Sequence, residues 1–402
     1  MRKFDYKARD RSSDKIVSSM VQAESESSAA KLLIEQGYTP LEIKESSEGR
    51  GFIDKVTGRI TNKDKIVFMR QLSTLIGAGL PLSQSLRTVL EQTANKQMQR
   101  VVEEIIADVE GGRSLSDAFG KHPDVFDKIV LALISAGEAS GTLDEALKRI
   151  ATQKEKDAAM MGKIKGAMIY PIIVLVVILG VMLFMLLTVV PQVEKLYKDM
   201  KQELPFLTSV MIHAANFLIH YWYLVLLALG VGGYFLFQYA KTEAGIKMFD
   251  SFKLNVPLFK GMFRKLYMAR FTRMGQTLLA TGVAMLDMMR ISADGVNNTI
   301  VAASITRASE KVKGGKPLSS SLQSEDYILP MVPQMIKIGE QSGKIDEMMG
   351  KTAQVYEDEL DEEIKAISTA IEPLLMVAMA VMAGGMVGAI LFPIYSLVGN
   401  IR

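Results

Sequence analysis

Three residue patterns in this 402-residue chain have the makings of chemistry. The first is "GEQSGKI", Gly339 to Ile345, a glycine loop ahead of a lysine. A P-loop needs four residues between its glycines and a Ser or Thr after its lysine to hold magnesium. Gly339 and Gly343 are separated by three residues, and Ile345 stands where the hydroxyl is needed, so the pattern fails on both counts. The second is the histidines, His122, His213 and His220, which show neither an H-E-x-x-H arrangement nor a carboxylate at ligand spacing; exposed or interfacial imidazoles are expected. The third is a set of acids, Glu138, Asp144 and Glu145, with matching Glu340, Asp346 and Glu347. Cysteine is absent, which removes disulfides, thiolate metal sites and cysteine nucleophiles. No catalytic residue, metal ligand or cofactor is expected, and the acids are left with helix capping or partner docking.

These acids sit in a pattern that occurs twice. "SAGEASGTLDEA", Ser135 to Ala146, returns as "KIGEQSGKIDEM", Lys337 to Met348, at an offset of 202 residues (339 − 137). Lys163/Lys365, Pro171/Pro373 and Pro191/Pro393 keep that offset. Upstream it becomes 203, pairing Phe68/Phe271, Arg70/Arg273, Gly79/Gly282, Gly111/Gly314, Gly112/Gly315 and Ser116/Ser319. A single one-residue gap reconciles two copies of about 125 residues, a domain-sized unit rather than a solenoid repeat.

Within each copy the periodicity predicts about six short helices punctuated by glycine. Gly79, Gly282, Gly111, Gly112, Gly314, Gly315, Gly141 and Gly343 are expected at structural turns, where the left-handed conformation is open to glycine. Ser114 to Asp117 fits a capping box, and Pro317 opposite Ser114 suits a first helical turn. Thr142 and Glu145 form a second T-x-x-E box, with Asp144 adding charge near a helix N-terminus; Lys344 replaces Thr142 in the second copy. Glu138 and Glu340, each beside a glycine, either bind turn amides or face a partner. With Asp144, Glu145, Asp346 and Glu347 they are the partner-facing candidates.

The apolar residues, 49% of the chain, are concentrated in a few runs. Residues 169–190, 221–240 and 371–397 are each long enough to cross a ~30 Å hydrocarbon core, and they predict three transmembrane helices. Lys154, Lys156, Lys163 and Lys165 precede the first, and Lys241, Lys247 and Lys253 follow the second. That placement predicts a cytoplasmic N-terminus, although Lys195, Lys198 and Lys201 count against it. The polar start, "MRKFDYKARDRSSDK", is no cleaved signal, so an internal helix is expected to lead insertion. A net charge of +3 gives no reason to invoke nucleic acid. In the third span Gly384, Gly385 and Gly388 make a small-residue stripe for membrane packing, whereas the first span has Met182 and Leu186 at the matching positions. "YEDELDEEIK", Tyr356 to Lys365, reads as a solvated acidic helix face or as a docking patch unique to the second copy.

The expected fold is therefore an all-α membrane protein with a duplicated cytoplasmic helical-bundle domain and three transmembrane helices, preceded by a small N-terminal α+β unit. The organisation is 1–45 for that unit in ββαβ order, 46–61 a linker, 62–157 the first bundle and 169–190 the first span. An extracytoplasmic loop at 191–220 follows, then the second span at 221–240, the second bundle at 265–363 and the third span at 371–397.

"FMRQLSTLIGAGLPLSQSL", "GGRSLSDAF", "SAGEASGTLDEAL", "YPIIV", "VVPQVEKLYKDMKQELP", "KIGEQSGKIDEM" and "IEPLLMV" together resemble the polytopic inner-membrane platform proteins of type IV pili and type II secretion, the PilC and GspF family. The likeness covers almost the whole chain. Ala284 departs from it, standing opposite Pro81. The resemblance implies a non-enzymatic assembly platform, multi-pass in the inner membrane, that contacts a cytoplasmic hexameric ATPase and passes its motion to insertion or extraction of pilin or pseudopilin subunits. It also implies other inner-membrane assembly proteins as partners and a homo-oligomer in the lipid bilayer. It leaves pilus and secretion machinery as alternatives. The rival class is a polytopic transporter component, which usually needs ionisable groups inside the bilayer; only Glu372 lies near it.

Overall fold

A computed structural model describes residues 2–10, 16–23, 26–35, 38–45, 59–199 and 206–399. Residues 46–58 of the expected linker lie outside the described residues. The first compact unit holds strands β1 (Arg2–Asp10) and β2 (Ile16–Ala23), helix α1 (Glu26–Glu35) and strand β3 (Tyr38–Glu45). Both neighbours of β1 run antiparallel to it, giving the sheet order β2-β1-β3. The β1–β3 register slips between Lys7 and Ala8, where Ala8 faces Pro40. Proline has no N–H to give a ladder, so an irregularity there costs the sheet little. Ala8 and Leu33 are fully buried in this unit.

Apart from Thr93–Arg100, which cluster with the first unit, the second unit contains both repeats. In the first, α2 (Asn62–Gly77), α3 (Leu82–Gln92), α4 (Lys96–Glu110), α5 (Leu115–Gly120) and α6 (Lys128–Ser140) lead to α7 (Leu143–Phe184). In the second, α11 (Lys260–Leu279), α12 (Met285–Gly295), α13 (Thr299–Lys313), α14 (Leu318–Gln323) and α15 (Met331–Ser342) lead to α16 (Ile345–Gly399). Each repeat thus has six helices in the same order. The sixth is long, because its amphipathic first half runs without a break into an apolar second half. At each expected turn pair only the second glycine is left-handed: Gly112 and Gly315 have φ +86 and +88, whereas Gly314 has φ −78.

The first bundle closes around Phe68, Phe119 and Phe126, whose rings lie 4.2 to 6.1 Å apart, with Leu72, Leu133 and Leu147 fully buried. In the second, Leu322 replaces Phe119 and methionines fill the space. A Cβ on Gly275 would stand 2.1 Å from Met349 Cε. The equivalent first-bundle positions are Leu72 and Leu147. The exchange of two leucines for a glycine and a methionine loses a side chain's volume, and Met288, whose Sδ stands 3.4 Å from the same Cβ where the first bundle has Ser85, supplies part of it.

Three helices among the described residues are long and apolar enough to cross a membrane, within Leu143–Gln192, Ala215–Ala240 and Ile345–Gly385. Their apolar side chains face outward, as Leu229 and Val381 do at 68% and 70% exposure, which suits hydrocarbon as the surrounding solvent. The first span ends in a π-helical turn, Met185–Val189, and continues as α8 (Val190–Asp199). α9 (Phe206–Ala240) is bent at Tyr221, whose φ/ψ of −118/20 is not helical. The stretch expected as the 191–220 loop is therefore largely helix, with Val190, Ile212 and Ala215 buried together against Leu186. α10 (Glu243–Asn255) joins the second span to the second bundle. α7 and α16 pack along each other up to their spans through Met160, Leu360, Ile364, Ile367, Ile371 and Leu375.

Candidate interaction sites

The twice-used motif builds the same corner twice. α6 ends at Ser140, and Gly141 takes φ +76, a region costly for any residue with a Cβ. Gly343 repeats it at φ +72. The chain then turns so tightly that a Cβ on Gly137 would lie 2.6 Å from Ala146 Cβ, and one on Gly339 2.7 Å from Ile345 Cα. Between these glycines the glutamate points back to the short junction between the third and fourth helices of its bundle. The Glu138 carboxylate accepts the N–H of Leu115 through Oε1 and that of Ser116 at 3.0 Å. Glu340 accepts the N–H of Ser319 at 3.1 Å and its hydroxyl at 2.5 Å. Two amides at the helix start in the first bundle, and one amide with a hydroxyl in the second, are satisfied by a charge that the helix dipole favours. Of the two tasks open to these glutamates, the geometry gives them the amides.

Ser114 caps α5 as its box predicts, accepting the N–H of Asp117 at 3.0 Å. The second box is a correction. Thr142 makes no cap bond to α7, because its φ/ψ of −111/44 lies outside the extended region from which a cap side chain turns back. Its hydroxyl meets Ser140 Oγ at 2.7 Å, and its N–H goes to Gly137 O at 2.8 Å. Asp144 and Glu145 lie in the first turn of α7, with Arg149 Nη2 3.7 Å from Glu145. Asp346 and Glu347 lie in that of α16, with Lys344 Nζ 2.9 Å from Glu347. Glu145 and Glu347 are exposed.

The acidic run of α16 is engaged within the chain. Glu357 accepts from Arg273 Nε at 2.8 Å and from Lys156 of α7 at 3.2 Å. Asp361 pairs with Lys163, and Lys265 Nζ lies 3.1 and 3.0 Å from Glu359 and Glu363. Asp358 and Glu362 remain exposed. Lys128 Nζ to Asp294 at 2.6 Å and Arg270 to Asp157 at 4.0 Å extend the contact between the two bundles. A cavity of about 590 Å³ lies between them, lined by Lys65, Asp127, Lys154, Asp157, Arg270 and Asp294 among others. Sequence reading missed this seam, since its partners, such as Lys128 with Asp294 and Lys156 with Glu357, lie 166 and 201 residues apart.

One repeat position exchanges its residue types. Buried Glu325 accepts from Arg307 Nη2 at 2.6 Å and Lys311 Nζ at 2.8 Å. In the first bundle the same three positions are His122, Glu104 and Asp108, with His122 Nε2 3.5 Å from Glu104. Burial pushes the Glu325 carboxyl up, but the hydrogen bonds from Lys311 and Arg307 outweigh it and hold it below the usual range. The other histidines are spent locally: His213 and His220 place Nδ1 2.7 and 3.0 Å from the carbonyls of Ser209 and Asn216. Among the described residues no three His, Asp or Glu side chains are gathered as a metal site. Cβ atoms added to Gly384, Gly385 or Gly388 would meet nothing within 4 Å, so this stripe is open on the single chain.

Comparison with known proteins agrees with this architecture. The family described as "Type II secretion system (T2SS), protein F" matches residues 68–191 and 271–393, one match per repeat. "Type II secretion system protein F, N-terminal domain" matches residues 1–44. "Type IV pilus assembly protein PilC" of Thermus thermophilus is 36% identical over 99% of this chain and 98% of its own length. The PilC protein of Pseudomonas aeruginosa is 33% identical over 92% and 98%. "Type II secretion system protein F" of Vibrio cholerae is 31% identical over 98% of each. With both repeats and the N-terminal unit matched and relatives aligned end to end, the chain belongs to the type II secretion system protein F family, which includes the PilC proteins of type IV pili.

Proposed function

We propose that this protein is the multi-pass inner-membrane platform of a type IV pilus or type II secretion apparatus, with no catalytic role of its own. In this reading both bundles and the N-terminus lie in the cytoplasm, where a hexameric ATPase engages them. The platform passes that motion to pilin-like subunits entering or leaving the membrane. The observation that carries the proposal is the continuity of α7 and α16: each bundle's last helix becomes a span without an intervening loop. A helix packed along its length moves as a unit, so a displacement applied at the bundle reaches the bilayer. The packed stretch from Met160 to Leu375 ties the two helices into one body. Exposed Glu145 and Glu347, at matching corners of the two bundles, are the acids we assign to partner contact.

Breaking continuity without disturbing either end tests this. Two glycines and a proline inserted after Lys165 should leave membrane insertion and protein level intact and abolish filament assembly or secretion. Normal assembly by that variant would overturn the coupling. Single cysteines at Ser114, Ser319 and Lys198, probed with an impermeant thiol reagent on whole cells, test the orientation; labelling at Ser319 but not at Lys198 would reverse it.

A further inference from the structure

α10 presents an apolar face that nothing among the described residues covers. It starts two residues after the second span ends at Ala240, and the turn is abrupt: a Cβ on Gly245 would stand 1.9 Å from the carbonyl oxygen of Tyr239. Thr242 caps the helix by accepting the N–H of Gly245 at 3.1 Å. One side of α10 is fixed to the second bundle. Leu254 is fully buried, and buried Asp250 accepts the N–H and hydroxyl of Thr299 at 2.8 and 3.0 Å. The other side carries Ile246, Phe249 and Phe252, spaced by three, with Met248 beside them and Leu258 beyond the helix. All five are exposed, Phe252 at 65%.

The position of this face identifies what covers it. The span is bounded here by Tyr234 and Tyr239, amphipathic rings that favour the headgroup level, and Lys241 lays its ammonium 4.2 Å over the Phe237 ring. Lys241, Lys247 and Lys260 are exposed around the face. Phe259, next to Leu258, lines an apolar groove of about 200 Å³ with Ile164, Met168, Phe263, Ile364 and Ile367, the turns that lead into the other two spans. An apolar stripe ringed by lysine, tethered by two residues to a transmembrane helix, matches a helix lying in the membrane surface. We propose that Glu243–Asn255 is an interfacial anchor: Ile246, Met248, Phe249 and Phe252 insert among the acyl chains of an anionic bilayer, the lysines hold its phosphates, and Asp250 and Leu254 carry the attachment to the second bundle. This rests on Ala215–Ala240 crossing the bilayer.

The test uses the full-length protein, whose lack of cysteine gives a clean background, in vesicles of phosphatidylcholine with or without phosphatidylglycerol. Phe252→Cys and Phe249→Cys are labelled with an environment-sensitive fluorophore and exposed to lipids brominated near the headgroup. Lys316→Cys, exposed at the turn between α13 and α14, serves as the water-facing control and Leu229→Cys, with deeply brominated lipid, as the span control. The anchor predicts that both phenylalanine positions lose most of their fluorescence while Lys316→Cys keeps it. The loss should deepen with phosphatidylglycerol, and Lys241→Gln with Lys247→Gln should remove that dependence. Unquenched labels at Phe249 and Phe252 overturn the proposal, and crosslinking of Phe252→Cys between copies in their place assigns the face to a second chain. An unquenched Leu229→Cys overturns the span, and the anchor with it.

Discussion

Lys156 Nζ lies 3.2 Å from Glu357 Oε2, so a carboxylate that closes the second bundle is shared with the first. The closing pair itself is duplicated. Arg273 and Glu357 stand where Arg70 and Glu155 stand in the first bundle, but the former are 13% exposed and the latter 39% and 41%. Glu357→Ala leaves a nearly buried guanidinium unpaired and should cost on the order of 3 kcal/mol. Glu155→Ala should cost less than about 1 kcal/mol, since water screens its pair. Lys156→Ala should be mild, because Arg273 still holds Glu357. Thermal unfolding of the three variants in detergent checks the ranking.

Removing the repeated glutamate should weaken both bundles alike. Glu138→Ala and Glu340→Ala each strip an acceptor from two helix-start groups, a loss comparable to an N-cap, about 1 kcal/mol. Glu138→Gln keeps one acceptor and should fall between. Lowered unfolding temperatures with reduced protein in cells are the expected outcome. Wild-type stability with assembly abolished would instead make these residues a partner surface.

Glu325 makes the second bundle acid-sensitive at a defined place. Its folded pKa lies below the unfolded value, so its stabilisation is complete above the ordinary carboxylate range and is lost as pH falls through the lowered folded value. Glu325→Gln should therefore be less stable than the native chain at pH 7, and the gap should narrow on acidification toward pH 3. Denaturant midpoints measured across that range decide it; a gap independent of pH would mean that the charge contributes nothing.

Gly388→Leu should disturb self-association. Close helix approach in lipid needs small residues, and these glycines face no neighbour among the described residues. Oligomer size in detergent and crosslinking in cells should both fall for Gly388→Leu and stay unchanged for Leu186→Ala in the first span. Wild-type behaviour of Gly388→Leu would leave the stripe facing lipid.

The repeat was readable because its signals are local. Gly141, Gly343, Gly112, Gly315 and the Ser114 box each dictate a backbone state within a few residues, and apolar length marks the spans. What escaped depends on distance or on compensation. The run from Tyr356 to Lys365 has the composition of a solvated face, and only the lysines and arginines of α7 and α11, far away in sequence, turn it into a seam. Thr142 has the right residue type for a cap but is claimed by a tighter turn. Gly275 looks like a gap in the core until Met349 and Met288 are seen to lie against it.

α7 alone is 42 residues, roughly 60 Å at 1.5 Å per residue, and over its middle it is laced to α16. Two rods bound side by side behave as a yoke: neither can swivel or tilt without carrying the other. The compliant points, the π-turn at Met185–Val189 and the elbow at Tyr221, lie outside that bound section, toward the far face of the bilayer. On the proposed platform reading, a torque delivered to either bundle would be pooled before it reaches the membrane and released at the opposite leaflet, giving two similar handles a single stroke.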